Sequence, residues 1–423
     1  MIKFLIKGLL RDSHRSRFPI IIVSLGVFLT VLVQCWLTGI LGDMIDFNAR
    51  FSTGHVKVMS RAYAENIDQL PNDLALMGID SVLTELKTQY PGMVWARRIQ
   101  FGGLIDIPDE QGETRSQGPA FGMAVDLLTD KSEIERLNIE MAIVRGQIPT
   151  NKKELLLSDV FAQKLEVVPG QQVTILSSTM YGSMAMHNFT LAGTVEFGVA
   201  AMDRGAVIID ISDAQEMLDM PDTAGEILGF FGDGKYDDLR AKALATGFNQ
   251  VNINNPDEFA PTMRRLREQN DLDSMMQYVE SMKGVALTVF ILAMSLVLWN
   301  AGLLGGLRRY TEIGIRLAMG EHKGRVYRSM IYESVFVGFS GWILGSIIGL
   351  AAAYVLQEKG FDLSEQMKNT SMMLPAVYRA NVTQSAYFVG LIPGLFSTVL
   401  GTLLSGIGIY KRQTASLFKE LEA

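Results

Sequence analysis

Apolar and charged residues are strongly segregated along this chain. Four long runs contain no charged residue, and they are Phe18–Gly42, Gly284–Leu307, Ser334–Gln357 and Ala380–Tyr410. A helix needs about 20 mostly apolar residues to cross the ~30 Å hydrocarbon core of a bilayer, so each run is long enough. Buried helices of a large soluble protein are the alternative, but core helices are rarely uncharged for so long. The pattern therefore predicts four transmembrane helices.

The long stretch between the first two runs has a different pattern. Its opening "GHVKVMS" alternates like a strand, "DSVLTELKTQY" has the pattern of a helix, and several strand-like segments follow between glycine turns. Strands mixed with a few helices favour an α+β domain, which we expect to have two lobes. The final segment, "DEFAPTMRRLREQNDLDSMMQYVESM", is predicted to be a helix or helix pair that leads into the second span.

Charge predicts the orientation of the spans. The short segments 1–18, 308–333 and 411–423 together carry 14 Lys and Arg and 6 Asp and Glu, whereas residues 43–283 have a net charge of −15. Short basic segments stay in the cytoplasm, and long domains translocate largely regardless of charge. Both termini and residues 308–333 are therefore predicted to be cytoplasmic, and the large domain extracytoplasmic.

The predicted fold is a membrane protein with four transmembrane helices and a large extracytoplasmic α+β domain inserted between helices 1 and 2. Residues 1–17 form a cytoplasmic amphipathic helix that lies on the membrane surface. The spans are 18–42, 284–307, 334–357 and 384–410; the extracytoplasmic parts are 43–283 and 358–383; the cytoplasmic parts are 308–333 and 411–423.

The first span is predicted to be retained rather than cleaved as a signal peptide. Its apolar part is too long for a typical signal core, and no clear small-x-small cleavage site follows. It holds Cys35, the only cysteine of the chain, so no internal disulfide is possible.

Small and polar residues within the spans suggest helix packing. Gly341, Gly345 and Gly349 recur every fourth residue, a spacing that lets two helices approach closely. Gln34 and Asn300 either form hydrogen bonds between helices or contact a substrate. The four runs carry no Asp, Glu, Lys or Arg that would mark a proton or ion path.

The sequence indicates no catalytic, cofactor or metal site. "GFFGDGKY" matches G-x-x-x-x-G-K, but Tyr236 stands where a phosphate loop needs Ser or Thr for magnesium. We expect neither a strong strand before this segment nor a clear helix after it. The four histidines are scattered without metal-ligand spacing. A membrane-anchored enzyme is therefore the weakest of the functional classes considered.

The segment "RRYTEIGIRLAMGEHKGRVYRSMIYES" resembles the cytoplasmic signature of MacB/FtsX-type permeases of ABC transporters. It has a basic pair, then E-I-G, a small turn and a helix that enters the next span. Residues 43–283 are similar to the MacB-like periplasmic core domain, and "STGHVKVMSRAYAEN" looks closest to the LolC/LolE-like lipoprotein-release branch. The chain departs from the common pattern at Met319 and at Glu321–His322.

The resemblance implies a chain without its own ATPase site that works with a separate ABC ATPase subunit, which would hold ATP and magnesium. It also implies a second permease, in a homodimer or heterodimer, and a location in the cell inner membrane. The basic segment Arg308–Arg328 would be a coupling helix seated in a groove of the ATPase. The predicted coupling residues are Tyr310, Glu312, Ile313, Gly314, Arg316, Leu317 and Gly320.

These residues have distinct expected roles. Tyr310, Ile313 and Leu317 form one helical face. Gly314 allows close backbone approach, and Gly320 suits a helix C-terminus.

Two functions from different classes remain. The first is a permease subunit of a mechanotransmission-type ABC transporter, which couples cytoplasmic ATP hydrolysis to extracytoplasmic movement of an amphiphile such as a lipoprotein, or of a peptide or drug-like molecule. The second is a signalling or scaffold protein that activates an extracytoplasmic partner without transport. Membrane lipid is an expected partner in both cases, and nucleic acid is not.

Overall fold

The structure is a computed structural model, and it describes residues 13–109, 111–197, 200–251, 255–269, 271–307, 310–363 and 377–411. The chain divides into two compact units. The helical unit comprises Met1–Gly42, Gln277–Phe361 and Tyr378–Ala423, and the sheet unit comprises Asp43–Met276 and Asp362–Val377. Most of the predicted amphipathic helix 1–17, half of the loop 358–383 and nearly all of the tail 411–423 lie outside the described residues.

The described elements alternate between long helices and a strand-rich region. In chain order the α-helices are α1 (Ser13–Asn48), α2 (Arg61–Glu65), α3 (Ile79–Gln89), α4 (Ser132–Arg136), α5 (Ile139–Ala142), α6 (Asp159–Lys164), α7 (Ala200–Asp203), α8 (Ile211–Met217), α9 (Asp238–Val251), α10 (Leu272–Leu307), α11 (Tyr310–Ala318), α12 (Lys323–Lys359) and α13 (Thr398–Lys411). The strands are β1 (Val56–Ser60), β2 (Leu76–Met77), β3 (Met93–Pro108), β4 (Thr114–Val125), β5 (Ile143–Gly146), β6 (Glu154–Ser158), β7 (Gln172–Ser178), β8 (Met184–Val195), β9 (Ala206–Asp210), β10 (Thr223–Ala224), β11 (Glu226–Phe231), β12 (Pro261–Arg265), β13 (Phe361–Asp362) and β14 (Val377–Tyr378).

Four helical stretches among the described residues are long and apolar enough to cross a membrane. They are Arg17–Thr53, Leu272–Asn300, Lys323–Lys359 and Gln384–Ile407. The four apolar helices predicted from the sequence are thus confirmed as candidate spans. Helix α12 begins at Lys323, well before its uncharged run. The start of a helix is set by the turn and capping residues that precede it, and not by the position of the first apolar residue.

The fourth candidate span is not a uniform α-helix. A 3-10 turn (Gln384–Tyr387) is followed by a π-helix over Ile392–Ser397, and α13 continues from there. Pro393 has no N–H to donate, so the regular bonding pattern cannot run through it. The Thr398 hydroxyl donates to the Gly394 carbonyl at 2.7 Å, which satisfies an acceptor beside the proline.

A ten-stranded mixed sheet organises the sheet unit, in the order β12-β1-β11-β3-β4-β9-β6-β8-β5, with β7 paired to β3 and β8. The pairs β4–β9 and β6–β8 are parallel, and the other pairs are antiparallel. Buried side chains alternate between two cores along one strand, as Leu156 lies in one cluster and Leu155 and Leu157 in the other. This period of two shows that both faces of the sheet are covered. Asp43–Met276 is one compact unit, and its division into two lobes stays a prediction.

Two local predictions from the sequence need correction. The segment expected to be a helix or helix pair before the second span is helical from Leu272, where α10 begins, but its earlier part contains strand β12, because Pro261–Arg265 pairs in antiparallel register with all of β1. The segment that matches a phosphate loop is preceded by β11 and followed by α9, contrary to expectation. Its first glycine, Gly229, lies inside β11, where a Cβ would come within 2.4 Å of the Trp95 ring, so packing explains this glycine.

Charged groups are buried in the middle of the sheet. Lys57 of β1 and Glu226 of β11 are each 1% exposed, and Lys57 Nζ lies 2.8 Å from Glu226 Oε1. Burial lowers the pKa of Lys57, and the neighbouring Glu226 carboxylate opposes that shift. Nearby, Arg98 Nε donates to Glu133 Oε2 at 2.7 Å. The first pair links strands β1 and β11, and the second links strand β3 to helix α4.

His55 is a buried hydrogen-bond acceptor beside β11. Its Nδ1 accepts from the Phe231 N–H at 3.0 Å, and the ring is 3% exposed. Burial lowers the pKa of His55 to about 4, with Asp233 opposing and Arg136 and Arg240 reinforcing the shift. The imidazole is therefore neutral at pH 7.

Candidate functional site

Helix α11 carries the predicted coupling residues. The helix begins at Tyr310 and ends at Ala318. Gly314 is buried, Arg316 and Leu317 are half-buried, and Gly320 is exposed. The side chains of Tyr310, Glu312 and Ile313 lie outside the described residues. The predicted face formed by Tyr310, Ile313 and Leu317 therefore stays a prediction.

A tight, hydrogen-bonded turn joins α11 to α12. Gly320 has a φ of +91°, which lies in the left-handed region that favours glycine. The Glu321 N–H donates to the Arg316 carbonyl at 3.0 Å and the Gly320 N–H donates to the Leu317 carbonyl at 3.0 Å. This pair of bonds is the Schellman motif, which satisfies the last carbonyls of a helix. Helix α12 then starts at Lys323, so the connection is short and ordered by backbone bonds.

Two exposed apolar side chains on this segment were not among the predicted residues. Ile315 is 49% exposed and Met319 is 76% exposed. They are four residues apart, so they lie on the same side of the helix. The helical-face argument selected Leu317 because it completes a stripe with Tyr310. The i, i+4 spacing of Ile315 and Met319 was the signal that could have identified them.

The glycine stripe of α12 contacts the first span. A Cβ on Gly345 would lie 2.4 Å from the Ser24 carbonyl oxygen and 2.8 Å from Val27 Cβ. The equivalent atom on Gly341 would lie 2.5 Å from a methyl of Val23, and that on Gly349 would lie 3.0 Å from Val31 Cβ. No side chain fits at these distances. The helix backbones approach each other because the stripe has no side chains.

Helix α1 also contacts the fourth span. A Cβ on Gly390 or Gly394 would lie 2.6 Å from a methyl of Val27. The amide of Gln34 donates from Nε2 to Ser385 Oγ at 3.3 Å, which is a hydrogen bond between spans. The side chain of Asn300, in α10, is exposed. Of the two polar residues identified in the sequence, Gln34 thus bonds across helices.

The described residues include no group of three or more His, Cys, Asp or Glu side chains that could hold a metal ion. Helix α11 and its turn present an exposed apolar pair, Ile315 and Met319, and a hydrogen-bonded connection to α12.

Family comparison places this segment within a known domain. Residues 284–414 match the family described as FtsX-like permease C-terminal. This range contains all of α11 and α12, together with the fourth candidate span. The C-terminal part of the chain is thus similar to the C-terminal domain of FtsX-like permeases.

Individual relatives agree with that assignment. Two proteins named "Lipoprotein-releasing system transmembrane protein LolC", from two strains of Xylella fastidiosa, are 25% identical over 230 residues and 24% identical over 229 residues. Each match covers 53% of this chain and 53% of the relative, so the chain spans about half the length of the curated relatives it matches. The predicted resemblance to MacB/FtsX-type permeases near LolC and LolE is confirmed by the domain match and these relatives.

A solved structure is also similar to the sheet-rich part of the chain. It is the periplasmic region of MacB from Actinobacillus actinomycetemcomitans, with a TM-score of 0.35 and 10% identity over 54% of this chain and 94% of that chain.

Proposed function

We propose that this chain is the membrane subunit of an ABC transporter and that a separate ATPase subunit drives it. The observation that carries the proposal is the FtsX-like permease domain at residues 284–414, since it contains the segment α11 between two candidate spans. ATP and magnesium would be bound by the partner subunit. A second permease, either another copy or a related chain, would complete the membrane assembly.

The proposed orientation rests on charge. Residues 308–333 carry six Lys and Arg against three acids, and short basic segments remain in the cytoplasm. With four crossings, both termini then lie in the cytoplasm, and the sheet unit is inserted between the first two spans on the outer side of the inner membrane. The net charge of −15 over residues 43–283 agrees with this orientation.

The proposed contact with the ATPase uses Ile315 and Met319. These apolar side chains are exposed on a basic segment, where burial in a partner's groove would remove them from water. Burying a Met or Ile side chain contributes roughly 1.5–3 kcal/mol. The Schellman turn fixes α11 to α12, so a force on the docked helix acts directly on the third span.

The proposed substrate is a lipoprotein or a comparable amphiphile. The relatives named LolC carry the description of a lipoprotein-releasing system, which supports an acylated protein as the substrate class. In this proposal, ATP-driven movement of α11 rearranges the spans and the sheet unit, and the substrate is extracted on the outer side.

A charge substitution at the exposed apolar pair tests the docking step. We expect Met319→Glu to insert into the membrane normally and to lose co-purification with the ATPase, because a carboxylate would be desolvated in an apolar groove. Met184→Glu is the matched control, since Met184 is 81% exposed on β8 of the sheet unit. Equal ATPase recovery with the two variants would contradict docking through Met319.

A further inference from the structure

Tyr327, in the second turn of α12, contacts α13 through both its hydroxyl group and its ring. Its hydroxyl donates to the Leu403 carbonyl at 3.2 Å. Its ring covers Gly406, where an added Cβ would lie 2.4 Å from ring atom Cε2 and 2.6 Å from Cδ2. Because Gly406 has no side chain, it leaves the space that the Tyr327 ring occupies, and we call this space the Gly406 cavity. The hydroxyl and the ring together fix both the height and the rotation of α12 against α13.

A second close contact holds the same two segments together higher along the helix. A Cβ on Gly338 would lie 2.7 Å from Thr398 Oγ1 and 3.1 Å from the Gly394 carbonyl oxygen. Two contacts separated along the axis prevent one helix from pivoting on the other. On either side of Tyr327, the side chains of Val326 and Met330 are 1% and 6% exposed, so this end of α12 is packed.

The lower contact lies next to the turn that leads to α11. Both the Arg325 and Val326 N–H groups donate to the His322 carbonyl, at 2.9 and 3.3 Å, so α12 is regular from its first turn. Only one helical turn separates this start from Tyr327. Displacement of α11 thus reaches Tyr327 without passing through a flexible segment.

We propose that Tyr327 is a positioning residue that makes α11, α12 and α13 move as one body. Without its ring in the Gly406 cavity, α11 and the start of α12 would move independently of the fourth span. The coupling consequence rests on the proposed function, because it is the docked α11 that would be driven. The mechanical claim itself concerns only contacts within the helical unit.

Distance measurement between spin labels tests the mechanical claim on the full chain without a partner. Labels at Met319→Cys and Leu404→Cys, in a Cys35→Ser background, report on α11's end and on α13 in lipid nanodiscs. Both sites are exposed, at 76% and 45%. We expect a narrow distance distribution in the parent and a broadened one in Tyr327→Ala.

Four further variants sharpen the test. Gly406→Ala should also broaden the distribution, because its Cβ displaces the ring, whereas Tyr327→Phe should stay close to the parent because the ring still fills the cavity. In the double variant Tyr327→Ala/Gly406→Ala the second substitution should add nothing, since it has no ring to displace. Tyr332→Ala removes a 48% exposed tyrosine of the same helix and should leave the distribution unchanged.

Coupled hydrolysis gives a readout that a merely stabilising role would not change. In proteoliposomes that contain the ATPase, with a synthetic triacylated lipopeptide as probe, Tyr327→Ala should keep basal hydrolysis and lose most of its stimulation, whereas Tyr327→Phe should keep both because its ring still covers Gly406. Unbroadened distances in Tyr327→Ala and Gly406→Ala overturn the inference. Failure of the parent chain to bind any ATPase overturns the proposed function alone, because the distance result stands without it.

Discussion

At the scale of single residues, the most consequential feature of the sheet unit is a pair of opposite charges with almost no access to water. Lys57 and Glu226 come from strands β1 and β11, and Gln100 of β3 donates from Nε2 to Glu226 Oε2 at 3.2 Å. A buried pair of this kind adds little net stability over apolar residues, but removal of one partner leaves an uncompensated buried charge. We expect the pair to favour the pairing of β1 with β11, because another arrangement would leave one charge buried without its partner.

Removing the acid should be far more costly here than at the surface. We expect Glu226→Ala to lower the free energy of unfolding by about 3–5 kcal/mol. The control Asp80→Ala breaks the exposed Arg97–Asp80 contact, at 3.0 Å, and should cost less than about 1 kcal/mol. Urea denaturation of the full chain in detergent measures both, and equal costs would contradict the burial argument.

His55 should make the sheet unit sensitive to acid. Because burial lowers the pKa of His55 in the folded chain to about 4, below the ordinary histidine pKa of 6.5, the unfolded chain takes up a proton first as pH falls. The contribution of His55 is present above pH 6.5 and is lost as pH falls towards 4, which amounts to about 2 kcal/mol between pH 7 and pH 5. His55→Asn keeps an acceptor for the Phe231 N–H and cannot titrate. Hydrogen exchange of the β11 amides at both pH values should show a smaller loss of protection in this variant than in the parent.

At the scale of elements, the close packing of the third span against α1 depends on glycines, because they have no side chains to keep the two helices apart. Gly341, Gly345 and Gly349 face Val23, Val27 and Val31 of α1 in succession. Spacing in the sequence predicted a close-approach face, but it could not identify the partner helix. The partner helix is α1, whose β-branched side chains pack against the three glycines, and this contact is visible only in the three-dimensional structure.

A bulky side chain at the centre of this contact should separate the two helices. Gly345→Leu places atoms where the Ser24 carbonyl lies, and overpacking of this kind costs typically about 1–3 kcal/mol. Membrane insertion should be unaffected, since leucine is more apolar than glycine. Gly284→Leu is the matched control, because no atom lies within 4 Å of its added Cβ in α10. Thermal stability in detergent should fall for the first variant only.

Some elements could be predicted from the sequence and others could not. The uncharged runs identified the four apolar helices because a long run without charge has few alternatives. Strand β12 lies in a segment predicted to be helical, and only its pairing with β1, which is distant in the sequence, identifies it as a strand. The packing role of Tyr327 could not be predicted from the sequence. Its ring contacts Gly406, which is distant in the sequence, and only the fold brings the two residues together.

At the scale of the whole molecule, the account depends on which side of the membrane each segment occupies. Single cysteines at Ser183 and His322, in a Cys35→Ser background, are exposed positions in the sheet unit and at the start of α12. An impermeant thiol reagent applied to intact cells should label the first and not the second. Labelling at position 322 would reverse the orientation and remove α11 from the reach of a cytoplasmic ATPase.

ATP hydrolysis and lipopeptide release in a reconstituted complex show whether a driven α11 moves an acylated substrate. The chain is reconstituted with its ATPase and any second permease in proteoliposomes, and ATP hydrolysis is measured as a triacylated lipopeptide is added. The account predicts stimulated hydrolysis with release of the lipopeptide from the membrane in the parent, and neither in Met319→Glu. Hydrolysis that ignores the lipopeptide, with none released, would contradict transport of an acylated substrate and favour a signalling scaffold.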